Sequence, residues 1–123
     1  MRVLFLSSYA HLVLEKSATR VSGGAELQVA LLARELAGRG IEAVILGGDT
    51  GQVDGVVIEG VRIRTGGKFH SGNPLEMLVA MPRVFSVIRE ERPDWVFLLG
   101  WTAWMAAVVA MRGVLGYRAG FIC

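Results

Sequence analysis

Gly23-Gly24-Ala25-Glu26, running into Leu27-Gln-Val-Ala-Leu-Leu-Ala-Arg-Glu-Leu-Ala-Gly-Arg-Gly40, is the stretch that orders the rest of the chain. The apolar residues after the glycines recur at helical spacing and predict a helix from about Gly24 to Ala37, ended by Gly38 and Gly40. A glycine pair at a helix start lets another group approach the backbone, because no Cβ stands in the way. It also bares the unpaired N–H groups of the first turn, whose partial positive charge favours an anion. Upstream, Met1-Arg-Val-Leu-Phe-Leu6 reads as a buried strand ending at a Ser-Ser-Tyr turn. Strand, loop, Gly-Gly and helix make a candidate phosphate cradle of Gly23, Gly24 and Ala25. Glu26, in the first helical turn, complements the helix dipole.

Working outward, Ser7–Ser22 is a long strand-to-helix loop carrying Ser8, Tyr9, His11, Lys16 and Arg20. Loops of this length are often functional. Along the helix, Leu27, Val29, Leu31, Leu32 and Leu36 form the expected apolar girdle, and Glu35 and Arg39 an i,i+4 ion pair. Ala43–Leu46 is a second strand, and Asp49 beyond it a turn residue. Val56-Val-Ile-Glu-Gly-Val-Arg-Ile-Arg64 reads as a hairpin about Glu59-Gly60 at a sheet edge. Arg62 and Arg64 are expected there on a solvated face that blunts the edge. Gly66-Gly67-Lys68 is a loop, and His70 has no second metal ligand near it. Asn73-Pro74-Leu75-Glu76 has the N-cap, first-turn proline and third-position acid of a helix start. Pro82 predicts a kink or a handover to a second helix over Arg83–Glu91, stopped by Pro93. Trp95-Val-Phe-Leu-Leu99 is a strand covered on both faces. A helix over Ala103–Arg112, ended by Gly113, and a last strand over Tyr117–Ile122 follow.

The stretch from Gly23 to Leu46 closely resembles the N-terminal domain of GT-B glycosyltransferases of the family 4 type. Those domains open with a strand, a loop, a GGAE-like turn, a helix ending in L-x-x-R-G-H and a second strand. Ile41 stands where that family often has histidine. Arg92-Pro93-Asp94-Trp95-Val96-Phe97 is similar to the family's x-P-D-V-V fourth strand. The resemblance implies a retaining, metal-independent enzyme that uses a nucleotide-sugar donor and no cofactor. It assigns donor phosphate to Gly23, Gly24 and Ala25. It puts the acceptor side of the cleft at Ser7, Ser8, Tyr9, His11, Gly100 and Trp101. The family's histidines after the fourth and fifth strands have no counterpart: Leu98-Leu99-Gly100 occupies the first place, and the sequence reaches Cys123 before the second. No residue is named as the catalyst.

A chain of 123 residues makes one domain, 1–123. Its apolar fraction of 53% and only three prolines suit a packed α/β domain and exclude a disordered chain. The net charge of +2, with no basic run, excludes a nucleic-acid binder. The single cysteine excludes an internal disulfide and a cysteine metal site. No apolar stretch reaches membrane-spanning length, and the N-terminus reads as a strand without a signal-peptide cleavage site. The expected location is the cytoplasm. A place at the inner membrane face is compatible with the sequence but not pointed to by it.

Alternating strands and helices predict a Rossmann-like open parallel sheet of order 3-2-1-4-5 with helices on both faces. The crevice between strands one and four would gather Ser7–Tyr9, Gly23–Gly24 and Gly100–Trp101. By the resemblance this is an incomplete GT-B N-terminal half, inactive alone because the donor-binding C-terminal domain is absent. A non-catalytic or split subunit completed by a partner chain is the alternative, as is a stand-alone nucleotide- or phosphate-binding module. An open sheet edge allows self-association.

Overall fold

The computed structural model describes residues 1–7, 24–48, 53–67, 73–99 and 104–122. In chain order these form β1 (Arg2–Leu6), α1 (Gly24–Gly38), β2 (Glu42–Gly47), β3 (Val56–Ile58), β4 (Val61–Thr65), α2 (Pro74–Glu91), β5 (Trp95–Leu99), α3 (Trp104–Leu115) and β6 (Arg118–Ile122). The six strands make one sheet in the order β3-β4-β2-β1-β5-β6. All neighbouring pairs are parallel except β3–β4. The expected order of five strands is thereby corrected. The hairpin contributes two strands: β4 pairs with β2, and β3 folds back outside it as an antiparallel edge.

Alternation along the central strands sorts their side chains into two cores. Val3, Phe5, Ala43, Ile45, Val61 and Ile63 face α1 and cluster with its Val29, Ala30 and Ala33. Leu4, Leu6, Val44, Leu46, Val96 and Leu98 face the other way, against Ala80, Val84, Val87 and Ile88 of α2 and Val108 of α3. Helices therefore cover both faces, as the unbroken apolar runs of β1, β2 and β5 require. The contact face of α1 differs from the expected girdle. Small Val29, Ala30 and Ala33 are buried, whereas Leu27, Leu31 and Leu32 are exposed. Small residues let the helix axis come close to the sheet.

Local signals explain where elements stop. Gly40, at φ +82°, closes α1, with the Ile41 amide bonded back to the Leu36 carbonyl at 3.0 Å. Glu59 and Gly60 both have positive φ, as a tight two-residue hairpin turn demands. Asn73 caps α2, its side chain accepting from the Leu75 amide at 2.9 Å. Pro82 sits inside α2 without dividing it. Pro82 and Leu78 both lie on the exposed side, where the carbonyl that the proline leaves unpaired meets solvent. α3 runs through Gly113 and ends only at Gly116, φ +76°. In β6, an added Cβ at Gly120 would come within 2.4 Å of the Phe97 ring, which stacks between Phe5 and Trp95. Only glycine leaves that ring its place.

Arg62 and Arg64 do not form a solvated edge. The Arg64 side chain is 12% exposed and binds Asp54 at 2.9 Å and Glu90 at 2.7 Å. Arg62 donates to both carboxylate oxygens of Glu91, at 2.6 and 2.8 Å. These arginines tie β4 to the end of α2, because β3 takes the edge position instead.

Candidate functional site

In a parallel sheet the strand ends that face ligands all lie on one side. Here β1, β2, β4, β5 and β6 end together on that side. α1 joins the parallel strands β1 and β2, so it runs back against them and begins at their carboxyl edge. Its first turn, opened by Gly24 and Ala25, carries N–H groups that have no partner within the helix. Ser7 follows β1 at the same edge. Its amide donates to the Leu46 carbonyl at 3.1 Å, but its hydroxyl is buried with no hydrogen-bond partner among the described residues. Oε2 of Glu26 is buried and unpartnered in the same sense, and burial pushes the Glu26 carboxyl above its ordinary pKa.

Of the nine residues assigned to the site from sequence, the structure thus brings Ser7, Gly24 and Ala25 to one edge. Gly23, Ser8, Tyr9, His11, Gly100 and Trp101 lie outside the described residues, as do Asp49, Lys68, His70 and Cys123. Glu26 has more to it than its first-turn position indicates. Its spacing of three and four residues from Val29 and Ala30 places it on the inward face. The expected leucine girdle hid that signal.

A second hollow of about 390 Å³ opens between Gly66-Gly67 and the first turns of α2, lined by Leu75, Glu76, Val79, Ala80 and Arg83. Its guanidinium is already engaged: Arg83 donates to the Thr65 carbonyl at 3.1 Å and to Asp54 at 2.7 Å. The hollow offers shape but little free hydrogen-bonding chemistry. Among the described residues no group of three His, Cys, Asp or Glu side chains could hold a metal ion. None of the described helices is long and apolar enough to cross a membrane.

Comparison with known proteins adds one finding. The family model of the glycosyl transferase 4-like domain matches residues 23–119, from the first glycine of the pair into β6. No curated protein and no solved structure matches. The matched segment takes in all three described helices and the Gly-Gly opening of α1. The chain belongs to the glycosyl transferase 4-like domain family.

Proposed function

We propose that this domain is the N-terminal, acceptor-side part of a retaining GT-B glycosyltransferase that draws on a nucleotide-sugar donor. Family membership supports glycosyl transfer in general. The observation that carries the finer reading is the opening of α1 at Gly24, on the carboxyl edge of the sheet and inside the matched segment. In this reading the diphosphate rests on Gly23, Gly24 and Ala25. Backbone N–H groups and the helix dipole supply the positive potential without a metal or cofactor. Ser7, Ser8, Tyr9, His11, Gly100 and Trp101 line the acceptor side. A second domain, in the same polypeptide or a partner, holds the nucleobase and donor sugar, and transfer needs both. The expected location is the cytoplasm. The unpaired side of β6, last in the sheet, is a surface for self-association.

The test is an amide-resolved NMR titration of the chain with inorganic pyrophosphate. The Gly24 and Ala25 amides should shift. Gly24→Val should abolish the shift while far-UV circular dichroism stays unchanged, since in this reading the added branch meets the ligand. Unaltered pyrophosphate binding in that variant would remove the cradle assignment. Sugar transfer from a nucleotide sugar by the chain alone would overturn the two-domain requirement. Micromolar nucleotide affinity without transfer would favour a stand-alone binding module.

A further inference from the structure

The two unpartnered oxygens at the carboxyl edge belong together. Val3 and Phe5 lie on the α1 side of the sheet, in one cluster with Val29 and Ala30. Ser7 has the same parity and so takes the same side. It lies two residues past Phe5, about 6.6 Å further toward the carboxyl edge at strand rise. Glu26 stands one turn before Val29 and Ala30, about 5 Å further in the same direction, because α1 runs against β1. This arithmetic sets Ser7 and Glu26 at a similar level, on the α1 side of the sheet near the first turn of α1. Ser7 is 2% exposed, and neither Ser7 Oγ nor Glu26 Oε2 has a partner among the described residues.

We propose that Ser7 and Glu26 form a seat for one hydroxyl of a sugar or polyol substrate, next to the phosphate cradle. A ligand hydroxyl donates its proton to the Glu26 carboxylate and accepts one from Ser7, which satisfies both oxygens at once. A phosphate oxygen has no proton to give, so it would satisfy Ser7 but be repelled by Glu26. The anion is left to the amides at Gly24 and the hydroxyl to the pair below. The seat rests on the glycosyl-transfer reading and makes Glu26 a positioning residue. The hydroxyl has two sources, the acceptor or a donor-sugar hydroxyl that the second domain leaves facing this one.

The experiment uses the whole chain, its Ser7→Ala and Glu26→Gln variants and the double variant, read by NMR titration. Pyrophosphate probes the cradle. UDP against UDP-glucose, UDP against UDP-N-acetylglucosamine, and GDP against GDP-mannose probe a donor hydroxyl. Glucose, mannose and myo-inositol alone probe an acceptor hydroxyl. Expected is a gain of sugar over nucleotide, or binding of a free polyol, that falls about tenfold in each single variant. The double variant should be no worse than the worse single one, since both side chains hold the same hydroxyl. Pyrophosphate affinity should be unchanged in Ser7→Ala and unchanged or higher in Glu26→Gln. No sugar-dependent binding in the parent chain, or binding that survives both substitutions, overturns the seat. Loss of pyrophosphate binding in the parent chain instead overturns the cradle. A Ser7→Ala chain that melts well below the parent would assign the hydroxyl to a structural bond, and would also overturn the seat.

Discussion

Among the described residues, the amino edge of the sheet and the end of β1 beside the start of α1 differ in how fully their polar groups are paired. At the amino edge nearly every polar group described has a partner. The Arg2 amide donates to Asp94 Oδ2 at 2.8 Å, and its guanidinium binds Glu42 and the Glu91 carbonyl. The Asp94 carbonyl takes the Arg118 amide at 2.9 Å, and the Asp94 amide donates to Arg2 at 2.8 Å. Glu91, 3% exposed, takes Arg62 Nη1 on both of its carboxylate oxygens. The Tyr117 hydroxyl bonds the Val108 carbonyl. At the carboxyl edge, Ser7 and Glu26 are left with buried oxygens unpartnered among the described residues. An unmade buried hydrogen bond costs about 1–3 kcal/mol. A fold tolerates that where a ligand completes the site and removes it where only stability is at stake. The contrast fits a scaffold at the amino edge and the proposed site at the other.

The largest test of that contrast is Glu91→Ala. It deletes a bidentate, charge-assisted pair and should lower unfolding free energy by about 2 kcal/mol, discounted because Arg62 is partly exposed and can rehydrate. A loss below about 0.5 kcal/mol in urea unfolding would mean the amino edge is not what holds β4 to α2. Asp94→Ala, which frees the Arg2 amide, should cost about 1 kcal/mol by the same measurement.

Tyr117→Phe should cost a similar amount, about 1 kcal/mol, and sharpen the comparison through pH. Burial pushes the Tyr117 hydroxyl up to about 12. A raised folded pKa contributes stability below the unfolded value near 10, which is lost as pH rises through about 12. Tyr117→Phe should therefore flatten the loss of stability that sets in above about pH 10.

The carboxylates split in sign between the two ends of the chain's charge map. Burial raises Asp54, but hydrogen bonds from Arg64, the Thr65 amide and Arg83 outweigh it and hold the carboxyl below its ordinary value. A depressed carboxyl contributes stability above its unfolded pKa near 4, lost as pH falls through the lower folded value. Glu26 is raised, so its contribution is present below the unfolded value and lost as pH climbs through the folded one. Asp54→Asn should blunt the acid-induced loss of Tm below about pH 4, and Glu26→Gln should raise Tm at pH 7. Ser7→Ala closes the series with a gain of about 1 kcal/mol, because it removes a buried oxygen whose hydrogen bond is unmade in the free protein.

Much of this was legible in the chain because it is local. The Gly40 closure of α1, the Asn73 cap and the Glu59-Gly60 turn each follow from one residue's φ or one side-chain oxygen. The central strands were legible because burial on both faces leaves a continuous apolar run. The site was readable as a place, through the glycine pair and the family resemblance. Most of its loop residues stand outside the described part of the chain, so the structure adds Ser7 and the helix opening but does not extend that list.

What the sequence determined by itself is therefore the α/β class, most of the elements, the openings of α1 and α2 and the close of α1, since these depend on neighbours a few positions away; the course of α2 through Pro82 and of α3 through Gly113 did not follow from it. Tertiary structure decided the rest. It placed β4 and not β3 beside β2, folded Arg62 and Arg64 onto α2, and turned the alanines of α1 inward and its leucines out. It also left Ser7 Oγ and Glu26 Oε2 buried with no partner among the described residues. Each of these turns on which groups meet across long chain separations, and there the spacing of apolar residues carries no information about partners.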